Sequence, residues 1–144
     1  MLSKRLEQVA SMVTKGNIIA DIGTDHGYVP IYLVEKGICP KAYAMDINQG
    51  PIESAIKNIE NYGLSEKIQA IKSNGLEKLE PEKADTIIIA GMGGELIVNI
   101  LENGLAKLEN CSRPVKELVL SPHKRGDLVR KYLEEHKWHI TDEK

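Results

Sequence analysis

Leu2, Leu6, Val9 and Val13 recur at helical spacing behind Ser3, an N-cap residue type, and predict a first helix that Gly16 can close. The run Asn17 to Gly23, NIIADIG, predicts a short buried strand that ends in an acidic turn. Pro30 fits the first turn of a second helix, filled by Ile31, Leu33 and Val34 and stopped at Gly37. KAYAMDI predicts a second strand ending at Asp46. Pro51 then opens a helix with Ile52, Ala55, Ile56 and Ile59 on one face, stopped by NYG. KIQAIKS is the third strand, and ADTIIIAG, with Ile87, Ile88 and Ile89 unbroken, is the clearest fourth. A helix carrying Leu96, Ile97, Ile100, Leu101 and Leu105 follows. VKELVLS is the fifth strand, closed by Pro122, and Leu128, Val129, Tyr132 and Leu133 mark a last helix. Strand and helix alternate throughout, and continuous apolar strands suit a sheet covered on both faces. The expected class is α/β, a mostly parallel sheet with helices on both faces. No linker or repeat interrupts the pattern, so residues 1–144 read as one domain.

Ligands on such sheets bind beyond the carboxyl ends of the strands, where strand order reverses. Those ends hold Gly23 to Tyr28, Asp46 to Gln49, Ser73 to Gly75, Gly91 to Gly94 and Ser121 to His123. In the first of them, Gly23, Thr24, Asp25, His26 and Gly27 follow Asp21. A dinucleotide turn needs bare backbone against a pyrophosphate at a helix N-terminus. Here Asp25 takes the middle glycine position, and two carboxylates would repel a diphosphate. S-adenosylmethionine has no phosphate and carries a cationic sulfonium and ammonium, so the acidic turn suits it and penalises NAD. The helix N-terminus near Tyr28 can take its carboxylate. Asp46, at the end of the second strand, can accept both ribose hydroxyls. Ile47 and Leu76 could sandwich the adenine, with the Asn74 amide on its edge. The candidate donor-binding set is Asp21, Gly23, Thr24, Asp25, Gly27, Asp46, Ile47, Asn74, Gly75 and Gly91. Asp21 can also serve by tying down the turn, Asp25 by capping the next helix, and Gly91, Gly93 and Gly94 by permitting a tight strand-to-helix turn.

With 19 basic and 21 acidic side chains the formal charge is −2, which gives no strong field for nucleic acid. Any RNA contact must then be a local patch: His123 with Lys124 and Arg125 is one candidate, Lys4 with Arg5 a weaker one. Phenylalanine is absent and Trp138 is the one tryptophan, so the core is aliphatic. Cys39 and Cys111 lie far apart with no partner at metal or redox spacing, and both are expected reduced and buried. No metal site is expected. No apolar run approaches the ~20 residues that cross a bilayer, and the start lacks a signal-peptide core, so no membrane partner and a cytoplasmic location are expected.

These residues resemble the bacterial tRNA (adenine-N1)-methyltransferases that modify adenine 22 of tRNA. The resemblance runs over essentially the whole chain, through MLSKRLEQVASMV, ADIGTDHGYVPIYLV, AMDINQGPIESA, NGLEKL, ADTIIIAGMGGELIVNIL and LVLSPHKRGDLVRKYL. The Asp-His pair in the first turn and the Gly-Met-Gly-Gly after the fourth strand are its distinctive parts. The resemblance implies a Rossmann-like class I methyltransferase fold, S-adenosylmethionine as donor with S-adenosylhomocysteine as product, and tRNA as partner. It differs from the family pattern at Asn74, where Asp is usual, at Ser121, where Gln often precedes the proline, and at Gly27, where Ala is common. The family's seven-stranded sheet and C-terminal helical hairpin imply a core truncated after about the fifth strand. Its uncovered edge would invite pairing with a second copy.

Methylation at adenine N1 is an in-line displacement by a lone pair that carries no proton at neutral pH. Alignment and a negative group near the developing cation are therefore the useful catalysis. The resemblance places Asp25, His26, Met92 and Gly93 in that role. The target base must leave its stack, and Tyr28 or Tyr32 can stack on it or simply pack. Absence of Asn-Pro-Pro-Tyr argues against an exocyclic amine acceptor, and absence of a cysteine in the fourth-strand loop argues against pyrimidine carbon 5. Two rivals stay open: a small-molecule or other RNA methyltransferase, and a donor-binding fragment without catalysis of its own.

Overall fold

The computed structural model describes residues 2–143; Met1 and Lys144, the ends of the expected domain 1–144, lie outside the described residues. Ser3 caps α1 (Lys4–Ser11), its hydroxyl accepting from the Leu6 N–H at 3.3 Å. The helix ends earlier than its apolar spacing predicts, with Met12 as C-cap. Gly16 does not close it: with φ +93° it forms the approach to the sheet and donates to the Ile38 carbonyl at 2.8 Å. There follow β1 (Ile19–Ile22), α2 (Tyr28–Glu35), β2 (Ala42–Asp46), α3 (Gln49–Asn61), β3 (Ile68–Lys72), β4 (Thr86–Met92), α4 (Gly94–Glu109), β5 (Glu117–Pro122) and α5 (Gly126–Glu135). Pro30 and Pro51 each sit in a first turn, where a missing N–H costs nothing.

All strand pairs are parallel and the order is β3-β2-β1-β4-β5. The expected α/β class holds, and the order reverses between β1 and β4. Every residue of β1 and β2 is buried, as are Thr86 to Ile89 of β4. The core lies in two layers. One packs α1, α2 and α3 on the sheet through Val9, Ile31, Leu33, Ala55 and Ile59. The other packs α4 and α5 through Ile97, Leu101, Leu105, Val129 and Tyr132, with Leu76 and Leu79 from the β3–β4 connection.

Three expectations change. Ile56 and Leu96, assigned to apolar helix faces, are 42% and 49% exposed, because the buried stripe on each helix is narrower than the run of apolar residues. Both cysteines are free, but only Cys39 is buried; Cys111 is half-buried at the end of α4. Burial, then the nearby Glu117 carboxylate, pushes the Cys39 thiol up to about 11. Among the described residues no helix is long and apolar enough to cross a membrane.

At the amino end of the sheet, Asp85 is buried and accepts from both Arg113 Nε and Nη2, at 3.0 and 2.8 Å, and from the Ile18 N–H at 2.8 Å. The carboxylate thus ties the start of β1 to the β4 and β5 connections. Arg113→Ala would leave it buried with one donor, and should cost about 1–3 kcal/mol of stability. A melting temperature lowered by several degrees in thermal unfolding is the expected result.

Candidate functional site

Strand order reverses between β1 and β4, and the acidic turn and the glycine loop meet at the carboxyl ends of those two strands. A Cβ on Gly23 would run into the Met92 methyl. Gly23 has φ +81°, so its backbone also favours glycine. The β1 turn is built from backbone donors that are already used: the N–H groups of Gly23 and Thr24 both donate to the Met45 carbonyl, at 2.8 and 2.9 Å, and that of Gly27 to the Thr24 carbonyl at 3.1 Å. The Asp25 N–H donates to Asp46 Oδ2 at 3.2 Å, while Asp46 Oδ1 accepts from the Asn48 N–H at 3.1 Å. Four of the five N–H groups from Gly23 to Gly27 are thus taken, and the turn presents carboxylates beside the uncapped start of α2.

Asp21 lies beneath the turn, 5% exposed. Burial, opposed by Thr24 and assisted by the charge of Asp46, raises its pKa to about 7. Thr24 Oγ1 faces it without closing a hydrogen bond, and is the one buried side-chain polar atom among the described residues left without a partner. Asp46 is also buried, yet its two oxygens carry one bond each, leaving acceptor sites toward the mouth. Asp25 is exposed, in the left-handed region at φ 59°, which Asp tolerates better than most residues. His26 is half-buried, its Nδ1 2.7 Å from Ser54 Oγ and its Nε2 3.6 Å from Asp25 Oδ1. The N-terminus of α2 has no side-chain cap, because Gly27 stands at that position.

Ile47 is 54% exposed beside Asp46 and free to cover a ligand. Leu76 is not: it is 2% exposed, and Gly104 of α4 packs directly on its side chain. The expected sandwich of a ring between Ile47 and Leu76 therefore fails on the Leu76 side. Asn74 is exposed. Gly75, at φ +59°, lies against Ile100. In the β4 loop Gly91 is exposed at φ +80° and adjoins Arg5, while Gly93 lies under the Lys124 stem. Gly94 has a structural reason for being glycine, since a Cβ there would strike the Arg125 carbonyl, and its N–H donates to the Lys124 carbonyl at 2.8 Å. Of the basic residues weighed for RNA, His123, Lys124 and Arg125 are exposed; Arg125 pairs with Asp127 at 3.1 Å.

Two contacts escape sequence reasoning: Ser54, on His26 Nδ1, and Asn58, which donates to the His26 carbonyl at 2.9 Å. Their only sequence signal is a pair of small polar residues four apart beside the buried Ala55 and Ile59. Two open grooves are present: one of about 620 Å³ between α4 and Asn74 to Glu77, which takes in Asn74 and Gly75 of the candidate donor set, and one of about 650 Å³ along the outer edge of β5. Neither includes Asp21, Asp25 or Asp46; buried carboxylates at the switch point mark the chemistry better than concavity does. Among the described residues no cluster of side chains could hold a metal ion.

The model of a methyltransferase-domain family matches residues 2–144. The chain belongs to that family. This methyltransferase domain is 40% identical to the tRNA (adenine(22)-N(1))-methyltransferase of Bacillus subtilis (strain 168) over 142 residues, 99% of this chain and 58% of the relative. It superposes with TM-score 0.92 on a putative tRNA (m1A22) methyltransferase of Streptococcus pneumoniae solved in complex with S-adenosyl-L-methionine. That pair is 48% identical, over 99% of this chain and 65% of the other. With the Mycoplasma capricolum enzyme TrmK, solved with S-adenosyl-homocysteine, the TM-score is 0.87 at 38% identity, over 100% of this chain and 62% of that one. The methyltransferase domain thus spans roughly six tenths of the length of these relatives.

Asp21 sets a pH signature for the domain itself. Its folded pKa lies above the ordinary carboxylate value, so the folded state holds the proton longer and stability falls as pH rises from about 4 to 7. Asp21→Asn should leave stability at pH 4 nearly unchanged and raise it at pH 8 by about 2–4 kcal/mol. Denaturant unfolding at the two pH values measures the difference.

Proposed function

We propose that this chain is the donor-binding and catalytic core of a methyltransferase that acts on N1 of adenine 22 in tRNA with S-adenosylmethionine. One observation carries the reading: a buried, ionisable Asp21 beneath an unpartnered Thr24 hydroxyl, with Asp25 on the same turn and Asp46 at the end of the neighbouring β2, its Oδ2 accepting from the Asp25 N–H. A cationic ligand with a sugar diol fits that donor set, and a diphosphate does not. S-adenosylmethionine would supply an electrophilic methyl carbon there. Asp46 would accept from the ribose hydroxyls, Thr24 and the uncapped start of α2 would receive the polar amino-acid end, and Asp21 and Asp25 would favour the positive centre. Ile47 would cover one face of the adenine, with Asn74 and Gly75 along its edge, and Gly91 would lie on the other side of β1, toward the methionine end. Asp25, His26, Met92 and Gly93 would border the acceptor, held by packing of the β4 loop on Gly23.

The relatives named above support tRNA as the substrate, and the cytoplasm follows as the place where that substrate is met. A second reading, a donor-binding unit that needs further chain for catalysis, is favoured by the share of each relative that this chain spans. Pairing with a second copy along β5 belongs to the same proposal, and sedimentation at micromolar concentration should show a dimer.

Calorimetric titration should give binding of S-adenosylmethionine and none of NADH; tight NADH binding would reverse the assignment. Asp46→Ala should weaken the donor by about 1–3 kcal/mol. With radiolabelled donor, a tRNA transcript carrying adenine 22 should be methylated and one with guanine there should not. Donor binding without transfer would leave the second reading standing.

A further inference from the structure

Two rings stand at the first turn, an exposed one and a half-buried one. Tyr28 opens α2 with 42% of its surface exposed, whereas Tyr43 and Tyr132 bury theirs to 6% and 5%. Its ring centroid lies 5.1 Å from that of His26, tilted by 33°. Core packing does not account for Tyr28. Tyr32, one turn further, is packed against the core beneath Lys36 and is no rival for an external ligand. The imidazole is braced by a second helix: Ser54 and Asn58 of α3 hold its Nδ1 and its carbonyl at 2.7 and 2.9 Å. On its other side stands the exposed Asp25 carboxylate, 3.6 Å from Nε2. A carboxylate next to Nε2 favours the proton on that nitrogen, which leaves Nδ1 to accept from the Ser54 hydroxyl. Two rings and one negative charge thus stand together at the first turn, the imidazole braced by Ser54.

We propose that the His26–Tyr28 pair is the seat of the acceptor base, and that the Tyr28 face with the Asp25 carboxylate favours that base once it is methylated and positively charged. The inference rests on the methyl-transfer reading and deepens it. Aromatic side chains stack on any nucleobase, and a ring face attracts a cation more than the neutral form of the same ligand. In the transfer, the N1 lone pair forms the new N–C bond while the C–S bond breaks and its electron pair stays on sulfur. Positive charge passes from sulfur to base and no proton moves. A seat that prefers the charged ring therefore acts on the transition state as well as on the product. Ser54 is a positioning residue: without its hydroxyl, Nδ1 loses its partner and the imidazole is free to turn.

The test uses the chain saturated with S-adenosylhomocysteine, titrated with adenosine and with 1-methyladenosine at neutral pH and followed by NMR shifts of the Tyr28 and His26 rings. We expect 1-methyladenosine to bind about fivefold more tightly than adenosine, a preference lost in alkaline buffer where the methylated ring is neutral. Tyr28→Leu should cost about tenfold in affinity for 1-methyladenosine and Tyr28→Phe less than about twofold, both with S-adenosylhomocysteine affinity unchanged. Asp25→Asn should narrow the preference, and Ser54→Ala should weaken both nucleosides with recovery in Ser54→Thr. Equal affinity for the two nucleosides, no binding of either, or a Tyr28→Leu chain that binds like the parent would overturn the proposal. Failure to bind S-adenosylhomocysteine would instead overturn the methyl-transfer reading beneath it.

Discussion

Burial of a carboxyl group at the end of β1, next to a second one at the end of β2, is the constraint around which the site is arranged. Asp21 and Asp46 sit on neighbouring parallel strands, and water reaches neither freely. Burial keeps the proton on Asp21 up to about pH 7, with the Asp46 charge adding to the effect. A fold gains nothing from that arrangement by itself; an asparagine would fill the same volume at lower cost. A ligand that brings positive charge changes the sign of the account, since it repays both carboxylates at once.

The parallel sheet delivers this arrangement through its order. Because β1 lies between β2 and β4, the first turn is flanked on one side by Asp46 and on the other by the glycine loop after β4. Met45 fastens the turn through its carbonyl, and Met92 fastens the loop by packing on Gly23. The loop in turn is held by the segment after β5, where the His123 N–H donates to the Met92 carbonyl at 3.0 Å and the Arg125 carbonyl sits where only Gly94 allows. Rigid strands and crowded glycines thus hold the polar groups in place, which is what alignment-based catalysis needs.

Much of this is legible in the sequence because the central strands β1, β2 and β4, buried on both faces, leave nearly unbroken apolar runs, and each of those runs stops at residues of the candidate site. Asp25 in place of a glycine is readable for the same reason: the chemistry of a turn lies in its own side chains. What could not be read lies in contacts between distant segments. Nothing local pairs Ser54 or Asn58 with His26, 28 and 32 residues away. Leu76 looks like a ligand-facing residue until the β3–β4 connection folds onto Gly104 and buries it. Ile56 and Leu96 satisfy helical periodicity but fall outside the stripe that the sheet covers. Gly94 reads equally as a site glycine or a turn glycine, and only the Arg125 carbonyl decides.

If the buried carboxyl exists to meet a cation, binding of the donor must expel its proton. Calorimetric titration of S-adenosylmethionine at pH 6, repeated in buffers of different ionisation enthalpy, measures that proton directly. The account predicts release of close to one proton per donor bound, abolished in Asp21→Asn. Binding heats that are independent of the buffer would contradict it.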